Sequence, residues 1–155
     1  MKRPFDITLS LVLLILLSPL FVVIMILVWI NDFHNPFYVA ARMARNHGTF
    51  NMIKFRSMVP HAAGTGVNST SADDRRITAI GKHLRKYKLD ELPQVVNVLM
   101  GDMSFVGPRP QVQTDADLYT NEEKRILSVR PGITDLASIV FADEGDILKG
   151  SSDPD

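Results

Sequence analysis

The strongest constraint in this 155-residue sequence is an apolar segment from Ile7 to Ile30 that contains no ionisable side chain. A helix rises about 1.5 Å per residue, so a helix of this length can cross the roughly 30 Å hydrocarbon layer of a membrane. We therefore predict a membrane helix over residues 1–30 and one further domain over residues 31–155.

Ser18 and Pro19 lie near the middle of the apolar segment. Proline removes a backbone donor and clashes with the preceding turn, so a break in the helix is expected here, with the Ser18 hydroxyl bonding the freed carbonyl. Basic residues flank the segment on both sides, beginning with Lys2 before it and Arg42 after it. Because Lys and Arg prefer the cytoplasmic side, two forms stay open: a helix that dips into one leaflet and returns, and a helix that crosses.

The overall composition excludes some classes of function. Lys and Arg together number 17, as do Asp and Glu, so the net charge is zero and gives no reason to expect a nucleic-acid partner. The absence of cysteine excludes disulfides, thiolate metal sites and a cysteine nucleophile.

Two strand patterns follow the apolar segment, over Phe37–Met43 and Thr49–Arg56. The residues between them have turn chemistry, with Gly48 suited to a positive φ, and predict a hairpin. Period-two alternation in the second strand puts Lys54 and Arg56 on one face.

Helical patterns follow over Ile77–Lys88 and Leu92–Met100, and Gly101 is a natural stop after the second. Thr120 with Glu123 three residues later forms a capping box, which predicts a third helix. The fold class expected is α+β: the broken membrane helix, then a small, mostly helical domain with a short β-hairpin.

The most suggestive polar stretch contains the adjacent carboxylates Asp90 and Glu91. On this stretch alone the simpler interpretation is structural, with Asp90 as an N-cap, Glu91 complementing the helix dipole, and Pro93 in the first turn. The functional interpretation is that these carboxylates hold Mg²⁺, or that one attacks phosphorus as a nucleophile.

Cations suited to phosphate lie elsewhere in the chain. Arg109 stands between two prolines, which restrict its backbone, and its planar fork fits two phosphate oxygens. Lys54, Arg56 and Arg85 are further candidates, because a diphosphate needs several positive groups to neutralise it. The turn that ends at Thr134 could bind a nucleotide through its backbone. Each of these residues also has an ordinary structural interpretation as a connector or a solvated charge.

Seven segments taken together resemble the bacterial sugar transferases, the monotopic phosphoglycosyl transferases. In chain order they are Lys2-Arg3-Pro4-Phe5-Asp6, Ser18-Pro19, Lys54-Phe55-Arg56-Ser57-Met58, Leu89-Asp90-Glu91-Leu92-Pro93-Gln94, Gly101-Asp102-Met103-Ser104, Gly107-Pro108-Arg109-Pro110 and Arg130-Pro131-Gly132-Ile133-Thr134. The resemblance covers residues 2 to about 135.

This resemblance implies a re-entrant helix broken at Ser18-Pro19, in a bacterial inner membrane, with a catalytic domain on the cytoplasmic face. It implies transfer of a phosphosugar from a UDP-sugar to polyprenyl phosphate, an early membrane step of glycoconjugate or polysaccharide assembly. By similarity, Asp90 is the nucleophile that carries the phosphosugar covalently, and Glu91 supports the metal or the proton handling.

The resemblance also implies a cofactor and a set of binding residues. Mg²⁺ is the expected cofactor, with Asp90 and Glu91 as its ligands. Arg85 and Arg109 correspond to the family's phosphate-binding positions. The other expected substrate-binding residues are Lys54, Arg56 and Thr134.

The sequence departs from the family pattern after Thr134. The segment Asp135–Asp146 differs from the usual continuation and is expected to shape the sugar pocket, and the C-terminus is expected to be truncated relative to the family. The rival hypothesis is a non-catalytic, membrane-tethered module that binds anionic lipid or nucleotide. A bitopic signalling protein is a third possibility and requires residues 1–6 outside the cell.

Overall fold

A computed structural model of the protein describes residues 2–60, 62 and 74–135. Its elements are a mixture of helix and strand, in the order α1 (Lys2–Asp32), β1 (Phe37–Met43), β2 (Thr49–Phe55), α2 (Ala79–Lys86), α3 (Gln94–Met100), β3 (Ser104–Val106), α4 (Gln113–Asp117) and β4 (Gly132–Thr134). Short 3₁₀ turns cover Arg45–His47, Leu89–Glu91 and Glu123–Ser128.

Helix α1 is long and apolar enough to cross a membrane, the only such helix among the described residues. It continues through Pro19 without interruption, so the structure does not show the predicted break. The Ser18 hydroxyl donates to the carbonyl of Ile15 at 2.8 Å. That carbonyl is the one a residue at position 19 would normally bond through its N–H, so the expected compensation by serine is present.

The N-terminal end of α1 docks on the domain through charged side chains. The Arg3 guanidinium donates to the carbonyls of Val98 and Leu99 at the end of α3, at 2.7 Å for Leu99. Asp6 is buried and accepts a 2.9 Å hydrogen bond from the Ser104 hydroxyl at the start of β3. The Arg3 bond satisfies the Leu99 carbonyl at the C-terminal end of α3, and the Asp6 bond ties α1 to β3.

The C-terminal half of α1 packs on the same domain through apolar side chains. Ile24 and Val28 form a buried cluster with Phe55 and Leu84. At the end of the helix, Asp32 pairs with Arg56, which follows β2. Both ends of α1 therefore contact one small domain.

The predicted hairpin is confirmed. Strands β1 and β2 pair antiparallel in continuous register from Phe37 opposite Phe55 to Met43 opposite Thr49. The expectation for Gly48 was wrong, because its φ is −78° and the positive φ values lie at Asn46 and His47. A 3₁₀ turn leads into the second strand, so the left-handed positions fall before the glycine.

Helix α3 is tied to the free edge of β2 by the buried side chain of Asn97. The amide accepts a hydrogen bond from Ile53 N at 3.0 Å and donates to Asn51 O at 2.8 Å. Gly101 ends the helix with φ of 100°, as the sequence predicted. Backbone N–H and C=O groups at the edge of the two-stranded sheet thus bond to the Asn97 side chain instead of to a third strand.

Strands β3 and β4 pair in parallel at the far side of α3. Gly107 and Gly132 approach each other so closely that a Cβ on Gly132 would overlap the backbone nitrogen of Gly107. Hydrogen bonds from Gly107 N to Thr134 O at 3.1 Å and from Gly132 N to Pro108 O at 2.9 Å hold this crossing. The backbone just before Arg109 is therefore fixed in place by β4.

Candidate active site

The two adjacent carboxylates lie in the 3₁₀ turn Leu89–Glu91, beside helix α1. Leu89 and Leu92 on either side of them pack against the cluster that contains Ile24 and Val28 of α1. Asp90 itself is only 7% exposed. The apolar neighbours thus hold the dyad in place from both sides.

The capping interpretation of Asp90 was wrong. Lys88 occupies the N-cap of the 3₁₀ turn and Pro93 occupies that of α3, and neither makes a side-chain capping bond. Asp90 lies inside the 3₁₀ turn and α3 begins only at Gln94, so Asp90 is too early in the chain to cap α3. Its burial has no capping role to account for it.

Glu91 is the paired member of the dyad. Its Oε1 atom lies 2.7 Å from Lys54 Nζ and 3.8 Å from Arg109 Nη2. Burial acts to raise the pKa of Glu91, but the charges of Lys54 and Arg109 and the Lys54 hydrogen bond outweigh it and lower that pKa. Glu91 is therefore held ionised and holds two cations in turn.

Asp90 is the unpaired member. Within the described part of the chain, no other side chain donates a hydrogen bond to its carboxylate. Burial raises its pKa, and the charge of Glu91 raises it too, against the opposing charges of Lys54 and Arg85. A desolvated carboxylate without strong donors keeps its lone pairs available for reaction.

Arg85 is brought to the dyad by a close approach of α2 to the end of β2. A Cβ on Gly81 would overlap the carbonyl oxygen of Ser57, so only glycine permits this contact. The Arg85 Nε atom then lies 3.2 Å from Ser57 Oγ. Burial lowers the pKa of Arg85 while the nearby Asp90 carboxylate raises it.

The structure brings together most of the predicted site. Lys54 and Arg109 lie 2.7 and 3.8 Å from the Glu91 carboxylate, and the charges of Lys54 and Arg85 lower the pKa of Asp90. Thr134 contributes through its carbonyl, which fixes Gly107 and so the loop that carries Arg109.

Arg56 is used differently from the other predicted cations. Its guanidinium forms a double ion pair with Asp32, with Nη2 to Oδ1 at 2.6 Å, and donates from Nε to Asn35 O at 2.7 Å. It joins the end of α1 to the end of β2. Its role as a substrate ligand stays a prediction, and its observed contacts are structural.

Two contributors were missed by sequence reasoning. Asn97 fixes β2, and with it Lys54, against the turn that carries Glu91. The only signal was a lone amide among the apolar positions of α3. Arg42 was noted merely as a basic flank, although period-two alternation in β1 puts it on the face that Lys54 occupies in β2.

This chain is similar to known bacterial proteins over most of its length. A family model described as bacterial sugar transferase matches residues 1–150. The exopolysaccharide production protein ExoY of Sinorhizobium fredii (strain NGR234) is 40% identical over an alignment of 153 residues, which covers 89% of this chain and 68% of ExoY.

Two further relatives carry more specific names. The undecaprenyl-phosphate galactose phosphotransferase of Salmonella typhimurium is 38% identical, and the undecaprenyl-phosphate glucose phosphotransferase of Komagataeibacter xylinus is 39% identical. The alignments cover 88% and 89% of this chain but only 32% and 27% of these longer proteins.

Proposed function

Because the chain belongs to the bacterial sugar transferase family, we propose that it transfers a sugar phosphate from a UDP-sugar to polyprenyl phosphate through a covalent aspartyl intermediate. The observation that carries this proposal is the contrast within the dyad. Asp90 is buried, unpaired and raised in pKa, whereas Glu91 is buried and ion-paired with Lys54. The names of two relatives, both undecaprenyl-phosphate sugar phosphotransferases, support this type of transfer.

In the first step, a carboxylate oxygen of Asp90 attacks the sugar-bearing phosphorus. An aspartyl O–P bond forms, the bridging P–O bond of the diphosphate breaks, and the electron pair leaves with uridine monophosphate. Lys54, Arg85 and Arg109 can stabilise the charge that spreads over the phosphoryl oxygens and the leaving group. Glu91 keeps Lys54 and Arg109 oriented for this purpose.

In the second step, an oxygen of polyprenyl phosphate attacks the same phosphorus. The aspartyl O–P bond breaks, the carboxylate of Asp90 is regenerated, and the product is a polyprenyl diphosphate sugar. The acceptor's phosphate lies at the membrane surface. Leu89 and Leu92 pack on α1, so the dyad is beside the element expected in the bilayer, and the lipid need not be extracted.

The residues fit Mg²⁺ only as a site that the substrate completes. Among the described residues, no three or more acidic or histidine side chains lie together so that they could hold a metal ion by themselves. Asp90 and Glu91 supply two hard oxygen donors, and Mg²⁺ commonly takes one or two carboxylates with substrate phosphates and water. Asp90 and Glu91 would hold the ion, which would neutralise the charge of the diphosphate. Glu91 already pairs with Lys54 and so has fewer oxygen lone pairs free for a metal.

We further propose that α1 is re-entrant, with the domain on the cytoplasmic face of the bacterial inner membrane. The contacts of Arg3 and Asp6 at one end and of Asp32 at the other support this, since all three bind the same small domain. A helix that crossed the membrane would have its ends on opposite sides. Pro19, with its carbonyl partner replaced by Ser18, is a natural point for bending in lipid.

The test is release of nucleotide before any acceptor is present. We would incubate the protein in a nanodisc with Mg²⁺ and UDP-glucose, UDP-galactose or UDP-N-acetylgalactosamine, labelled in the sugar. The expected result is one equivalent of uridine monophosphate with the label retained on the protein. The Asp90→Asn variant should give neither, whereas Asp117→Asn, which changes an exposed aspartate of α4, should match the wild type.

Two results would count against the proposal. Turnover that needs the acceptor before any nucleotide is released would indicate direct transfer in one step. Binding of lipid or nucleotide with no turnover of any donor would favour a non-catalytic module.

A further inference from the structure

One face of the hairpin carries polar side chains near its two ends, with the buried side chains of Ala40 and Met52 between them. Strand register puts Tyr38 directly opposite Lys54, and Arg42 opposite Phe50. Side chains two residues apart on a strand share a face, so Tyr38 and Arg42 lie on the same face as Lys54. Lys54 and Arg42 are therefore separated on this face by buried apolar side chains, and Arg42 lies near the end of β1.

The end of β1 is joined to the loop that carries Arg109. Met43 N donates to Gln111 O at 2.9 Å, which places the residue after Arg42 against the second residue after Arg109. Arg42 is half-buried, and the hydrogen bond its guanidinium makes within the described residues is a 3.2 Å contact with the carbonyl of Ala41. Most of its five N–H donors are thus available.

Arg42 and Arg109 are close enough for their charges to interact. Burial lowers the pKa of Arg42 first of all, and the charge of Arg109 lowers it further, against the opposing effects of Tyr38 and Asp115. Both guanidiniums stay protonated at physiological pH. Two neighbouring cations, one of them partly desolvated, form an arrangement that a bound anion would stabilise.

Resting on the function proposed above, we propose that Arg42 and Arg109 together bind the phosphate that departs with the nucleotide. Arg109 Nη2 lies 3.8 Å from Glu91 Oε1, and the loop that carries Arg109 is hydrogen-bonded through Gln111 O to the residue after Arg42, so Arg109 links the dyad to the end of β1. In phosphoryl transfer the nucleophile and the leaving oxygen are roughly in line across the phosphorus. With Asp90 as nucleophile, the leaving phosphate is directed away from the dyad, where this pair of arginines can hold it.

The test compares inhibition by uridine monophosphate with inhibition by uridine, which has the same base and ribose but no phosphate. In Arg42→Met, inhibition by the monophosphate should weaken about tenfold or more, and the KM for the UDP-sugar should rise with it. Inhibition by uridine should stay within about twofold of wild type. Arg42→Lys should recover part of the loss, because a lysine restores the charge without the planar fork.

The matched control is Arg125→Met, which removes an exposed guanidinium that is not among the charges affecting Arg42 or Glu91. It should leave both inhibition constants unchanged. Monophosphate inhibition as strong in Arg42→Met as in wild type would overturn the inference. So would an equal loss of inhibition by uridine and its monophosphate, since that indicates a general distortion of the site.

Failure of this inference is distinguishable from failure of the proposed function. If the wild type forms no sugar-phosphate adduct from any UDP-sugar, the proposed function fails. If the wild type forms the adduct and Arg42→Met forms it at the same donor concentration with the same monophosphate inhibition, only the role of Arg42 fails.

Discussion

Two regions of this protein bury an aspartate, and they do so with opposite consequences. At the N-terminal end of α1, Asp6 accepts hydrogen bonds from Ser104 Oγ at 2.9 and 3.2 Å and so links α1 to β3. In the turn before α3, Asp90 is buried to a similar degree without a side-chain donor. A buried carboxylate with a donor on another element joins the two elements, whereas Asp90, which has no side-chain donor among the described residues, is held ready to react.

The largest expected effect comes from Asp90→Asn. Because the amide cannot act as the nucleophile, sugar-phosphate transfer should fall by about 10⁴-fold or more. Since the pKa of Asp90 is raised in the folded protein, keeping it ionised at pH 7 destabilises the fold. This destabilisation is complete above the pKa of Asp90 in the folded state and disappears below its pKa in the unfolded state. The thermal midpoint at pH 7 should therefore be unchanged or higher. If Asp90→Asn is inactive only because it unfolds, the claim that Asp90 serves the reaction and not the stability of the fold is contradicted.

Removing the cation that acts on both carboxylates should have the next largest effect. Lys54→Met deletes the 2.7 Å ion pair with Glu91 and a charge that stabilises the transferring phosphoryl group. Transfer should fall on the order of 100-fold. Lys82→Met, an exposed lysine of α2, is the matched control and should be neutral in a turnover assay. Equal activity in both variants would remove Lys54 from the site.

The pH dependence of adduct formation should reflect the environment of Asp90. The attacking carboxylate must be ionised, so the rate should fall about tenfold per pH unit below its pKa. Burial places that pKa above the ordinary value of 3.8. Lys54 lowers it, so Lys54→Met should move the acid limb to higher pH. A single-turnover profile with an unshifted limb in that variant would show that another group is titrating.

The smallest effect on activity should come from Asp6→Asn. The amide weakens the bonds to Ser104, which should cost about 1–2 kcal/mol and lower the thermal midpoint by several degrees. Activity per folded molecule should stay near that of wild type. Thermal unfolding by tryptophan fluorescence and turnover at low temperature measure the two quantities separately. A loss of turnover at full folding would mean that Asp6 also acts on the site.

The sequence predicted features that depend on residues close together in the chain, and it did not predict contacts between residues far apart in the chain. The hairpin strands and the end of α3 at Gly101 follow from alternation and glycine geometry, which are local. The bidentate ion pair between Arg56 and Asp32 joins residues 24 positions apart, and no local sequence pattern predicts it. Arg56 therefore looked like a substrate ligand when its observed partner is the end of α1.

The dyad illustrates the same limit at closer range. Sequence spacing alone favoured Asp90 as a helix cap, and only the 3₁₀ turn at Leu89–Glu91 removed that possibility. Family resemblance singled out the two carboxylates and several cations, and it did not indicate which cation each carboxylate contacts. The predicted role of Asp135–Asp146 in the sugar pocket stays a prediction, since residues 136–155 lie outside the described part of the chain.

The most direct test of the central claim is to locate the phosphosugar on the protein. Enzyme treated with its UDP-sugar donor without acceptor would be acid-quenched, digested and analysed by tandem mass spectrometry. The contrast between the unpaired and the paired carboxylate predicts an adduct on Asp90 that disappears when polyprenyl phosphate is added. An adduct on Glu91, or no adduct under conditions that give turnover, would contradict it.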